Sequence, residues 1–96
     1  MHNLEEQEAL RKTILSRLKR IEGQVRGVQK MIESGKECED ILVQVRAVRS
    51  ALNAASGLIL RRYLSRCQEE ALLAEGGDSR RVLEKFIQVM ANFMDH

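Results

Sequence analysis

The stretch CEDILVQVRAVRSALNAASGLILRRYLSRC, residues 38–67, opens and closes on the chain's two cysteines. It reads as one uninterrupted helix. It holds no proline, and Ile41, Val45, Val48, Leu52, Ala55 and Ile59 recur in steps of four and three, the spacing of one helical face. At about 1.5 Å of rise per residue, Cys38 and Cys67 stand roughly 43 Å apart. A disulfide needs Cα atoms within about 7 Å. The two thiols of one chain therefore cannot meet. They meet between two chains whose helices pack antiparallel, with opposed positions whose numbers add to 105. Cys38 of one copy then faces Cys67 of the other, and symmetry repeats the thiol pair at both ends.

The pattern continues on both sides of this segment. Upstream, Ile14, Leu18, Ile21, Val25, Val28 and Ile32 form a second heptad-like seam, widened by Leu15 and Met31. Gly23 and Gly27 interrupt it at a small cost in helix propensity. This first helix is expected to stop at Ser34-Gly35, where glycine suits a left-handed cap. The central helix is expected to start between Lys36 and Cys38, with Glu37, Glu39 and Asp40 complementing its N-terminal dipole. It should run to about Leu73. A stripe of small side chains, Ala47, Ala51 and Ala54 with Leu58, invites close helix packing. Gly76-Gly77 breaks the chain, and Asp78 or Ser79 is expected to cap a third helix. That helix carries two adjacent apolar stripes, Val82-Phe86-Val89-Phe93 and Leu83-Ile87-Met90-Met94, an arc too wide for one neighbour.

These elements imply a single all-α domain over residues 1–96 with three helices per chain. Two long helices and one short one enclose little core alone. Two chains make an antiparallel four-helix-bundle dimer, and the third helices join dimers into a tetramer with closed symmetry.

The composition agrees. The chain has 96 residues, no Pro, no Trp and three aromatic residues, Tyr63, Phe86 and Phe93. No apolar run approaches the ~20 residues of a membrane span, and the acidic start MHNLEEQEAL does not read as a signal peptide. The expected location is cytoplasmic, where a thiol pair is more often reactive or metal-binding than structural. Net charge is +2, but residues 11–30 carry seven basic side chains against Glu22 alone, and residues 41–66 carry five and no acid. Such segregation suits a polyanionic partner, although a solvated helix face would look the same.

The segments RLKRIEGQVRGVQKMIESGKEC (17–38), DILVQVRAVRSAL (40–52) and RRYLSRC (61–67) resemble the CsoR/RcnR family of bacterial repressors. The resemblance covers residues from about 11 to 94. It implies an all-helical dimer or tetramer, not an enzyme, that binds double-stranded operator DNA through basic helix faces. Release follows when an inducer reaches the cysteine site. In this family the effector follows three positions, which here read Cys38, Tyr63 and Cys67. Copper sensors have His where this chain has Tyr63, and nickel sensors have His at the position of Cys67. The Cys-Tyr-Cys set is similar to the CstR-like, persulfide-sensing branch.

The chemistry of these residues leaves two effectors open. Sulfane sulfur, as persulfide or polysulfide, needs only two thiols that approach each other, one attacking and one resolving. Cys38, near a helix N-terminus, is the expected attacking thiol, although three nearby acids oppose its ionisation. The alternative is Cu(I), a soft ion, held by Cys38 and Cys67 alone. The phenol of Tyr63 is a hard donor, protonated at neutral pH, and is expected only to flank the site sterically. Nickel would need imidazoles, and the chain offers only His2 and His96. No resident cofactor is expected. A thiol oxidoreductase would show a Cys-x-x-Cys pair, which is absent.

The resemblance also associates Arg17 and Arg49 with DNA contact. Arg20 and Gln24 lie on the same face of the first helix as Arg17, in steps of three and four. The arginines would pair with phosphates, and Gln24 with a phosphate or a base edge.

Overall fold

The computed structural model describes residues 4–73 and 78–94. Three helices follow in order: α1 (Leu4–Glu33), α2 (Cys38–Leu73) and α3 (Asp78–Met94). Helix α1 ends where the sequence indicates. Gly35 adopts φ +71°, the Lys36 amide bonds back to the Met31 carbonyl at 3.0 Å, and the Gly35 amide bonds to Ile32 at 3.2 Å. This paired closure satisfies the last carbonyls of α1. The Glu37 carbonyl then accepts from the Ile41 amide at 3.1 Å, which opens α2, with Glu39 and Asp40 in its first turn.

The short connection turns α2 back along α1. Ile14 and Leu15 come level with Ile59 and Arg62, and Ile21 and Gln24 come level with Ala51. Helix α3 folds back on the far end of α2. The Ser79 hydroxyl donates to the Ala71 carbonyl at 2.8 Å, and the rings of Tyr63 and Phe86 pack tilted with centroids 5.3 Å apart, a favourable aromatic geometry. Here the structure corrects the expected cap. Asp78 is already helical, and the Ser79 hydroxyl is engaged with α2. The Gly76-Gly77 break lies outside the described residues.

Helix α2 packs on both α1 and α3, which do not pack on each other. The result is a slab of 60 × 30 × 14 Å, little thicker than one helix with its side chains. Its radius of gyration is 18.1 Å, against about 13 Å for a compact chain of this length. The buried apolar set is correspondingly small: Ile14, Ile21, Ala55 and Cys67. The heptad seams are only half used. Leu18, Val28, Ile41 and Val48 are partly covered, while Val25, Ile32, Val45, Leu52 and Ile59 stay exposed. On α3, Val82 and Phe86 are half-buried, but Val89, Leu83, Ile87, Phe93 and Met94 are open. A stable domain normally buries such faces between two layers, and one chain provides a single layer.

Candidate thiol sensor and nucleic-acid interface

Cys38 is the first residue of α2 and is exposed. It lies three residues before Ile41, beyond the end of α1 at Glu33. On the same face of α2, one and two turns on, Leu42 and Val45 are 59% and 42% exposed. Cys67 is the opposite case. It is 3% exposed, on the part of α2 that α3 covers. Because α2 is continuous from Cys38 to Leu73, the roughly 43 Å between the thiols holds in the folded chain. Among the described residues, no three His, Cys, Asp or Glu side chains converge as a metal-binding group. His2 and His96, the imidazoles weighed for nickel, lie outside the described residues.

Tyr63 precedes Cys67 by one helical turn and faces it. Its phenol is pushed above its ordinary value of 10.0, by desolvation first, then by the charge of Cys67 and the hydrogen bond with it, then by Glu70. The neutral phenol is thus favoured beside Cys67. The sequence suggested only steric cover here. The four-residue spacing of 63 and 67 was the available signal for their proximity.

Six of the basic residues line two grooves. One, of about 640 Å³, is lined by Arg17, Arg20 and Gln24 together with Lys12, Thr13 and Ser16. The expected face of α1 is therefore formed, and its hydroxyls and Lys12 were not singled out from the sequence. They lie one turn N-terminal to Arg17 and Arg20. The Gln24 Oε1 atom is buried there without a hydrogen-bond partner. Arg49 is exposed but does not line this groove. A second groove, of about 600 Å³, runs between α1 and α3 and holds Arg11, Arg62, Arg66 and Tyr63 over an apolar floor.

Residues 10–92 match the family model described as metal-sensitive transcriptional repressor. The chain belongs to this family. Members of the metal-sensitive repressor family are regulators of transcription rather than enzymes. The copper-sensing transcriptional repressor CsoR of Bacillus subtilis (strain 168) is 39% identical over 80 residues, covering 83% of this chain and 77% of that protein. The copper-sensing transcriptional repressor RicR of Mycobacterium tuberculosis is 51% identical over 61 residues, covering 64% of this chain and 62% of that protein. Among solved structures, the copper-sensing repressor CsoR with Cu(I) from Geobacillus thermodenitrificans NG80-2 is similar with a TM-score of 0.75 and 39% identity. That match covers 98% of this chain and 92% of the other. The nickel-responsive transcriptional regulator InrS is similar with a TM-score of 0.72 and 33% identity, covering 85% of this chain and 90% of the other. These relatives support the all-α fold and the repressor family. They are metal sensors, and the narrower CstR-like placement finds no support among them.

Among the described residues, no helix is long and apolar enough to cross a membrane.

Proposed function

We propose that this chain is an operator-binding repressor that responds to a thiophilic effector at a site shared by Cys38 of one copy and Cys67 of another. The observation that carries this reading is the unbroken α2 between the two cysteines. It denies them to each other within a chain, and an antiparallel second copy would bring its Cys38 level with Cys67, which lies buried in the single chain. The half-used seams and the single-layer shape supply the apolar surface for a dimer and, through α3, a tetramer. Arg17, Arg20 and Gln24, with Arg49 on the neighbouring helix, form the DNA-contacting set. Binding falls with salt as phosphates regain their counterions.

Cu(I) is the effector that the copper-sensing relatives support. Two thiolates suit this soft ion in linear coordination. The phenol of Tyr63, its ionisation pushed above 10.0, is a hard donor and does not replace a third, imidazole ligand.

That same residue favours a second reading, sulfane sulfur. The Cys38 thiolate attacks the outer sulfur of a persulfide RSSH. The RS–S bond breaks, RSH leaves, and Cys38 carries the transferred sulfur. Cys67 of the facing copy then attacks the Cys38 sulfur and expels hydrogen sulfide, leaving an inter-chain disulfide. Overall, one persulfide oxidises two thiols to one disulfide and is itself reduced to RSH and H2S.

Operator binding by the wild type and by the double variant Cys38→Ser/Cys67→Ser, each with Cu(I) or a persulfide donor, tests both readings. The double variant binds DNA and ignores both effectors; release of the variant by either one overturns the shared-thiol site. Intact mass then separates the effectors. Copper gives a metal-bound species without a covalent link, and the persulfide donor gives a covalent dimer on non-reducing analysis.

A further inference from the structure

The groove between α1 and α3 contains a feature that DNA binding does not explain. Arg11, Arg62 and Arg66 line it, and no acid does. The Arg62 Nε atom is buried without a hydrogen-bond partner, a costly state for a charged donor. The rest of the lining is apolar, including Leu15, Ile59 and Val89, each more than a third exposed. At the other end of α2, its start has the complementary character. Glu37, Glu39 and Asp40 are exposed and form none of the ion pairs found among the described residues, which join Arg11 to Glu8, Arg80 to Glu84 and Arg81 to Asp78. Immediately after them come the exposed apolar Leu42 and Val45.

We infer that this groove is the seat for the acidic start of α2 from a second copy. Glu37, Glu39 and Asp40 meet Arg62 and Arg66, while Leu42 and Val45 cover the apolar floor. The inference rests on the antiparallel pairing above and deepens it. In that pairing Arg66 comes opposite Glu39 and within one turn of Glu37 and Asp40, and Arg62 comes within one turn of Asp40. The groove also holds Tyr63, the neighbour of Cys67, so the segment seated in it delivers Cys38 to the correct end of the bundle. Charge thus selects the orientation of the two copies. A parallel arrangement would bring the arginines of both copies together, and like charges in contact are strongly penalised.

Two charge-reversed chains test the pairing. Arg62→Glu/Arg66→Glu places acid against acid in its own dimer, and Glu37→Arg/Glu39→Arg places base against base. Each homodimer should weaken about tenfold or more. When the two chains are mixed, both grooves regain opposite charges. Native mass spectrometry should then show the mixed dimer in at least about tenfold excess over either homodimer. A statistical 1:2:1 distribution overturns the inference. The milder changes Arg66→Gln and Glu37→Gln guard against loss of fold. A combined loss of association smaller than the product of the single losses supports the contact, and a loss equal to that product overturns it. Diamide oxidation of the wild type separates this inference from the reading beneath it. A mapped inter-chain Cys38–Cys67 link with statistical mixing refutes only the charge seat. No such link together with statistical mixing refutes both.

Discussion

Tyr63 shows how much one side chain decides at this site. As the single tyrosine of a chain without tryptophan, it can be titrated alone by its phenolate absorbance. Desolvation, Cys67 and Glu70 all raise its ionisation above 10.0. A group whose folded value is raised contributes stability in full below its unfolded value, and that contribution disappears as pH rises through the folded value. The phenolate should therefore appear with a midpoint above 10.0, and the melting temperature of the wild type should fall more steeply above pH 10 than that of Tyr63→Phe. A midpoint at or below 10.0 would contradict the desolvated setting of Tyr63 beside Cys67 and Glu70. The sequence shows Tyr63 and Cys67 on one face of a helix. It does not show that α3 closes over them, because Phe86 approaches only through a chain reversal whose geometry lies in tertiary packing.

At the scale of elements, the helix ends were the most legible feature. Gly35 was expected at a left-handed cap, and its φ of +71° with two closing hydrogen bonds is that conformation. A β-carbon there would meet no atom within 4 Å, so the cost of Gly35→Ala is backbone strain alone, about 1–2 kcal/mol. Chemical denaturation should show a loss of that size with an unchanged slope, since little surface exposure changes. The start of α3 was less legible. Asp78 and Ser79 are both good capping residues, and the choice between them was overridden when the Ser79 hydroxyl found the Ala71 carbonyl. Periodicity identified both stripes of α3 but not which one meets α2. The contact of Phe86 with Tyr63 and the partial burial of Val82 and Phe86 distinguish that stripe from the Ile87 stripe.

The whole molecule is a thin plate with most of its seams unfilled. If the copies associate as proposed, folding is linked to association, and anything that binds only the folded form raises its apparent stability with concentration. The melting temperature should therefore rise with protein concentration over a hundredfold range, as followed by circular dichroism. A concentration-independent transition would mean that the single layer is stable alone. The all-helical class, three elements and their order were readable from heptad spacing and glycine breaks. The split of the cations into two grooves was not. Arg17 and Arg20 differ from Arg62 and Arg66 in which helix lies alongside, and composition cannot report that.

The continuity of α2 has a mechanical consequence. A rod of 36 residues without proline is about 54 Å long and runs unbroken through Ser56-Gly57. As long as that step stays helical, whatever happens to sulfur at one tip tilts or slides the entire rod. A swing of about 5° displaces the opposite tip by roughly 5 Å over that length, so a small adjustment at one extremity becomes a large one at the other, amplified by leverage alone.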